Sequence, residues 1–175
     1  IDSGNLQKLE RFGPYRFIRP EPQALWKPRF DVSRWQADGV FIPSQKSRHG
    51  EIDDCEGGGW KLSNDLPADW EITYQSLCFR ARPTPFRHLG FFPEQACHWE
   101  WCAKKIRAAN PTRLPNYRPR ILNLFAYSGV ASLHAAAAGA AVTHVDASKK
   151  AISHAFKNRN AAGLEEAPIR FITDD

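Results

Sequence analysis

The stretch between residues 119 and 129 restricts the fold of this sequence more than any other. Its centre is the run ILNLFA at 121–126, which is short, almost wholly apolar, and flanked by Pro119 and the pair Ser128-Gly129. Strands of parallel sheets that are covered on both faces have such runs, whereas strands with one wet face alternate apolar and polar residues. The run therefore predicts a buried parallel strand that ends in a tight turn.

A regular alternation of helices and strands follows this turn. The alanine-rich stretch after it favours a helix, Gly139 suits the C-terminal end of that helix, and Ser148 suits the N-terminal cap of a second one. The predicted elements are a helix at 130–138, a strand at 141–145 that ends at Asp146, a helix from Ser148 to Gly163 and a strand at 169–172. With the first strand they form a βαβαβ unit, the first half of a doubly wound α/β sheet.

Residues 1–90 have a different character. They hold most of the 13 prolines and short runs rich in aromatic and β-branched residues, such as YRFI at 15–18 and EITY at 71–74. Such runs predict short strands joined by turns. The three glycines at 57–59 are interpreted as a hairpin tip, because a phosphate-binding loop would be followed by a helix pattern. We therefore expect a small β-rich domain over 1–90 and an α/β domain that begins at 91 and is incomplete at residue 175.

A helix is expected between these two regions. From about residue 94, apolar side chains recur at helical spacing until Asn110-Pro111, which ends the helix. The predicted buried stripe consists of Trp99, Cys102, Ala103 and Ile106. Because this places Cys102 in the core, we do not interpret His98 and its neighbouring cysteines as a metal site.

Composition and charge limit the partners. The sequence is 42% hydrophobic and 25% charged, as in soluble globular proteins. It has no run of about 18 apolar residues that would cross a membrane and no secretion signal, so we expect a cytoplasmic protein with reduced cysteines and no membrane partner. Residues 80–120 carry nine Lys and Arg against two Glu, which favours a polyanionic partner, although a solvated basic face is an equal alternative.

The candidate binding residues follow the predicted strands, because ligands of such sheets bind beyond the carboxyl ends of the strands. The first turn has one glycine instead of the G-x-G-x-x-G that admits a pyrophosphate. A small zwitterionic ligand can still lie against Ser128-Gly129 at the helix N-terminus. Asp146 comes 17 residues after Gly129 and is expected to accept hydrogen bonds from both hydroxyls of a ribose. Asp174 or Asp175 is placed to accept one from an adenine amino group.

Three stretches carry a resemblance to a known family: NLFAYSG at 123–129, AGAAVTHVDASK at 138–149 and PIRFITDD at 168–175. They resemble class I S-adenosylmethionine (SAM)-dependent methyltransferases of the bacterial 23S ribosomal RNA group, in the branch with the large-subunit cytosine-C5 and guanine-N7 enzymes. The likeness is strong over about 85–175. It is weaker over the β-rich front, where DSGN at 2–5 and KLERFG at 8–13 are similar to the small domain that precedes the catalytic one.

The resemblance implies a Rossmann-like domain with SAM as its cofactor. The segment around Gly129 would lie beside the methionine part of SAM, Asp146 would hold the ribose, and the acidic pair at the end would reach the adenine. The segment GFFPEQA at 90–96 is similar to the family's G-Y-F-L-D-Q-R element, with Ala96 where that pattern has arginine. The implied cofactor-binding residues are Gln95, Phe125, Ala126, Tyr127, Ser128, Gly129, Asp146, Ala147, Asp174 and Asp175.

These observations predict a SAM-dependent methyltransferase that acts on a base of ribosomal RNA, with RNA as its partner. Two alternatives remain open: a small-molecule or protein methyltransferase, and a non-catalytic RNA-binding module with the same fold. No catalytic residue is assigned, because the family's acceptor-side turn, a D-P-P-like sequence after the fourth strand, is expected beyond residue 175. The methylated nucleotide and the oligomeric state are not predicted.

Overall fold

The computed structural model describes residues 1–44, 58–109 and 117–174. The chain divides into two compact units. One comprises Ile1–Trp70 with Ala81–Gly90, and the other comprises Glu71–Arg80 with Phe91–Asp175. Among the described residues, no helix combines the length and the apolar character that a membrane-spanning helix requires.

A five-stranded sheet in the order β1-β2-β3-β4-β5 forms the first unit. Its strands are β1 (Asp2–Gly4), β2 (Gln7–Phe12), β3 (Tyr15–Pro20), β4 (Gly39–Pro43) and β5 (Gly58–Leu62). Only the β3–β4 pair is parallel; the other neighbours are antiparallel. Phe17 is fully buried and stacks on Trp70 with the ring centroids 5.4 Å apart. The described residues of this unit therefore form mainly β-strands.

The glycines at 57–59 were predicted to form a hairpin tip, and this is wrong for two of them. Gly58 and Gly59 begin β5, where they pair with Pro43 and Ile42 of β4. Residue 57 lies outside the described residues. A Cβ atom at position 58 would lie 2.6 Å from the ring of Phe41, so the close approach of that ring requires a glycine.

A hairpin and a second sheet complete the described structure. The hairpin consists of β6 (Trp70–Tyr74) and β7 (Leu77–Ala81). The second unit also contains α1 (Ala96–Ala109), β8 (Arg120–Asn123), α2 (Val130–Ala137), β9 (Ala141–Asp146), α3 (Lys149–Ala161) and β10 (Ile169–Thr173). Its strands are parallel, in the order β10-β9-β8, which confirms the predicted βαβαβ unit and the α/β class.

The core of this second sheet lies on one of its faces. Ile106 of α1 packs there with Ala135 and Ala136 of α2 and with Val142 of β9. Farther along the same face, Phe171 of β10 meets Phe156 of α3 with ring centroids 4.2 Å apart. Both βαβ crossovers run in the same direction across the sheet and are right-handed by the general rule, which places both helices on one side.

Residues 121–126 were predicted to be a strand covered on both faces, and this is wrong in two respects. The strand ends at Asn123, because Phe125 has a left-handed backbone, with φ of 51°. Furthermore, Leu122 is 62% exposed. It is paired with Thr143, and alternation along the strand places its side chain on the face opposite that of Ile121 and Val142.

The buried stripe of α1 is narrower than predicted. Trp99, Ala103 and Ile106 are buried, as expected, but Cys102 is exposed. These three residues are separated by four and then three positions, so they already form one stripe along the helix. Successive side chains on a helix are about 100° apart, and Cys102 therefore lies to one side of that stripe. Cys102 instead faces a cavity described below.

Candidate donor site

A cavity of about 390 Å³ opens beside the carboxyl end of β8, within the range of roughly 300–1,000 Å³ that is usual for small-molecule sites. Its walls are the start of α1, the turn after β8 and the start of α2. Five of the predicted cofactor-binding residues line it: Gln95, Phe125, Ala126, Tyr127 and Ser128. The cavity therefore brings together two segments that are about 30 residues apart in the sequence.

The turn after β8 has an unusual backbone. Phe125 and Tyr127 have φ of 51° and 49°, and Gly129 has φ of 82°. A left-handed conformation costs a residue other than glycine about 1–3 kcal/mol, and such residues cluster at functional sites. Phe125 is also 87% exposed, so burial of its ring does not offset the strain. We infer that the turn is shaped for a ligand.

Hydrogen bonds from neighbouring elements hold this backbone in place. The amide of Ala126 donates to the carbonyl of Val145 over 3.0 Å, and the amide of Tyr127 donates to Oδ2 of Asp146 over 2.8 Å. The turn is thereby attached to the end of β9, the strand next to β8.

Gly129 is required by its backbone and by a close contact. A Cβ atom at this position would lie 3.0 Å from Cβ of Ala155 in α3, and φ of 82° is unfavourable for any L side chain. Gly129 does not itself line the cavity. Its predicted role beside the ligand is thus supplemented by a structural one, since it lets α2 and α3 approach each other.

Asn158 in α3 also supports the turn, and sequence reasoning did not identify it. Its side chain is fully buried; its Nδ2 donates to the carbonyl of Ser128 over 2.8 Å, and its Oδ1 accepts from the amide of Arg80 over 2.9 Å. A sign of this role is present in the sequence, because Asn158 follows Ala155 by three residues on the apolar stripe of the helix, where a polar side chain needs a partner.

Asp146 lies at the end of β9 and is half-buried. Besides the bond from Tyr127, its Oδ1 accepts from the amide of Ser148 over 2.8 Å. Ser148 is the residue that caps α3, through a bond from the amide of Ala151. Each carboxylate oxygen can accept two hydrogen bonds, so both oxygens retain a position for a further donor such as a ribose hydroxyl.

The remaining predicted residues lie near Asp146. Asp174 directly follows β10, and its amide donates to the backbone carbonyl of Asp146 over 3.2 Å. Ala147 and Asp174 are exposed, and neither lines the cavity. Asp175 lies outside the described residues. The predicted residues therefore fall into two groups: those that line the cavity, and the strand-end residues Asp146 and Asp174, which do not line it.

Solved structures of methyltransferases resemble this chain over its whole length. A SAM-dependent methyltransferase from Agrobacterium tumefaciens is 47% identical, with a TM-score of 0.84; the match covers 100% of this chain and 51% of that one. The chain has the SAM-dependent methyltransferase fold. It spans about half the length of that relative.

Two more distant structures share this methyltransferase fold. The methyltransferase-like protein SMU.776, solved with S-adenosylhomocysteine (SAH), is 15% identical with a TM-score of 0.66, over 97% of this chain and 42% of that one. The complex of aTrm5 with tRNALeu gives 15% identity and a TM-score of 0.58, over 96% and 47%. No protein-family model and no curated protein matches the sequence.

A buried polar network lies beneath the turn after β8. Nδ2 of Asn123 donates to Oγ of Ser132 over 2.9 Å, and Oγ of Ser132 is 3.0 Å from Nδ1 of His144. His144 has no exposed surface, and burial lowers its pKa from 6.5 to about 4. The contact between Ser132 and His144 joins α2, whose start lines the cavity, to β9.

His134 of α2 packs against α1. His134 stacks on Trp99 at 5.2 Å, and burial lowers its pKa. Among residues 1–44, 58–109 and 117–174, no three His, Cys, Asp or Glu side chains form a group that fits a metal ion.

Proposed function

We propose that this chain is the donor-binding half of a SAM-dependent methyltransferase that acts on a base of ribosomal RNA. The observation that carries the proposal is the strained turn after β8. The turn lines the cavity, and the amide of its Tyr127 donates to the Asp146 carboxylate over 2.8 Å. A relative that is 47% identical over the whole chain and is a SAM-dependent methyltransferase supports it.

The residues around the turn offer the kinds of contact that SAM requires. The ribose hydroxyls would bind to the positions that Asp146 retains, and the adenine would extend toward Asp174 and Asp175. The methionine part would cross the backbone of Ser128 into the cavity. SAM would supply a methyl group whose bond to the sulfonium sulfur breaks as the acceptor bonds to the methyl carbon, with SAH as the leaving group. The chain's own contribution is to orient the donor, because correct positioning provides much of the rate of such a displacement.

Calorimetric titration of the full-length protein tests the donor. We expect SAM and SAH to bind and a nicotinamide dinucleotide not to bind, since the turn lacks the glycines that admit a pyrophosphate. Binding of the dinucleotide without binding of SAM would refute the proposal. Transfer of a labelled methyl group from SAM to ribosomal RNA tests the acceptor. If the methyl group is transferred to a protein or a small molecule instead, the proposed role of SAM stands and the proposed RNA substrate is refuted.

The support for RNA comes from the exposed side of α1. Lys104, Lys105 and Arg107 are all exposed there, and Nζ of Lys105 lies 5.5 Å from the ring centre of Trp101, which is 61% exposed. Basic side chains with an exposed aromatic ring are typical of surfaces that bind nucleic acid. We call these four residues the α1 basic face. The complex of aTrm5 with tRNALeu, at 15% identity, supports the fold and not the RNA substrate.

The salt dependence of RNA binding tests the α1 basic face. Each neutralised phosphate of a single strand contributes about 0.7 to the slope of log K against log salt, so changing Lys104, Lys105 and Arg107 to Ala should lower the slope by up to about 2. The triple change Lys149→Ala, Lys150→Ala and Lys157→Ala on α3, where the residues are also exposed, is the matched control. Equal slopes for both triple variants would show that the face contributes only solubility.

A further inference from the structure

Three polar side chains follow one another along the wall that α1 presents to the cavity. Gln95 immediately precedes the helix, and His98 and Cys102 are three and seven residues farther on. All three line the cavity, because that spacing places them on one side of the helix. The resemblance and the sequence pattern assigned a role only to Gln95.

His98 and Gln95 are joined by a short hydrogen bond, 2.7 Å between Nδ1 of the imidazole and Oε1 of the amide. An amide oxygen only accepts hydrogen bonds, so Nδ1 of His98 must be the donor. In the neutral ring, Nε2 is then the acceptor. The amide nitrogen of Gln95 keeps its two donor hydrogens. The pair therefore presents a hydrogen-bond acceptor and a donor next to each other on one wall.

We propose that the His98–Gln95 pair recognises the amino-acid part of the donor, with Nε2 of His98 accepting from the α-ammonium group and the Gln95 amide donating to the α-carboxylate. This inference rests on the proposed function, since it requires SAM to occupy the site. Asp146 does not line the cavity. In the proposed function the ribose is held at Asp146 and the adenine extends toward Asp174, which does not line the cavity either. The amino-acid end of the donor is then the part that enters the cavity.

The other walls of the cavity agree with this assignment. Phe91, Phe92 and Trp99 are apolar and suit the methylene groups of the methionine chain. Val130 and Ala131 at the start of α2 also line the cavity, and no side chain caps that helix. Amide groups at a helix N-terminus favour a negative charge, so the carboxylate would be stabilised from this side as well.

Two ligands that differ only in the amino-acid part test the proposal in the full-length protein. SAH contains the amino-acid part, whereas 5′-methylthioadenosine has the same adenosine and sulfur but lacks it. By calorimetry, His98→Ala should weaken SAH by about 10-fold or more, the loss expected for a hydrogen bond to a charged group, and should leave 5′-methylthioadenosine unchanged. Cys97→Ala, an exposed neighbour that does not line the cavity, is the control and should change neither.

His98→Lys identifies the group that His98 contacts. An ammonium at this position repels the donor's α-ammonium, so SAH should bind no better than to His98→Ala. Recovery of affinity in His98→Lys would mean that the contact is with the carboxylate and would overturn the assignment. Equal weakening of both ligands by His98→Ala would show a structural role and overturn it too. If the wild-type protein binds neither ligand, the proposed function itself fails, and this inference fails with it.

Discussion

Replacement of Asp146 is the most informative perturbation of the donor site, because this carboxylate has two separable tasks. It accepts backbone hydrogen bonds from Tyr127 and Ser148, both over 2.8 Å, and it is proposed to accept from the ribose of SAM. Asp146→Ala removes both. The structural bonds affect the folded protein without ligand, whereas the ribose bonds affect only the complex.

The structure sets the expected magnitudes for Asp146→Ala. Hydrogen bonds to a charged acceptor contribute about 1.5–3 kcal/mol each, and because the site is half-exposed we expect about 2–3 kcal/mol for the two backbone bonds together. For a chain of this size, this lowers the melting temperature by roughly 4–12 °C. Loss of the ribose bonds weakens SAH and 5′-methylthioadenosine alike, by roughly 10- to 150-fold.

Asp146→Asn separates the two tasks. Its amide has one oxygen, so it retains an acceptor for either Tyr127 or Ser148 and loses the other, and both losses should be smaller than in Asp146→Ala. Calorimetry and thermal melting of the same samples measure the two effects. Glu165→Ala, on an exposed position, is the control. If Asp146→Ala lowers the melting temperature but keeps full SAH affinity, Asp146 only braces the turn and the ribose assignment is refuted.

Two further predictions concern stability. Gly129→Ala should lower the free energy of unfolding by about 2–3 kcal/mol, more than Gly163→Ala does. Both glycines have positive φ, but only a side chain at 129 would meet Ala155, at 3.0 Å. Equal losses for the two variants in urea unfolding would show that the contact with Ala155 contributes nothing. His144 is neutral in the fold down to pH about 4 but takes up a proton near pH 6.5 when unfolded. Its contribution to stability is therefore complete above pH 6.5 and falls by about 3 kcal/mol toward pH 4. His144→Gln should show a shallower decline of unfolding free energy over that range, and an unchanged decline would assign it to other groups.

The sequence alone determined the order of elements in the α/β unit and placed the predicted site residues at the ends of its strands. Apolar runs, the alanine-rich helix and the cap at Ser148 are local features, and each depends on residues within one or two turns of the chain. The strands at 141–146 and 169–173 agree with prediction to within one residue. Asp146 was predicted to bind the ligand because the carboxyl ends of the strands in a parallel sheet are the usual binding positions.

Only the tertiary structure decided which partners these residues have. The bonds of Asn158 to Ser128 and Arg80 join segments 30 and 78 residues apart, and no local pattern encodes such a distance. The exposure of Cys102 and Leu122 depends on which elements pack against α1 and β8. Periodicity shows which residues share a face of a helix or strand, but it does not show which element covers that face. The strain at Phe125 and Tyr127 likewise arises because β9 and α3 fix the turn from outside it. Periodicity acts over a few residues, whereas burial and hydrogen-bond partners are set by contacts between distant ones.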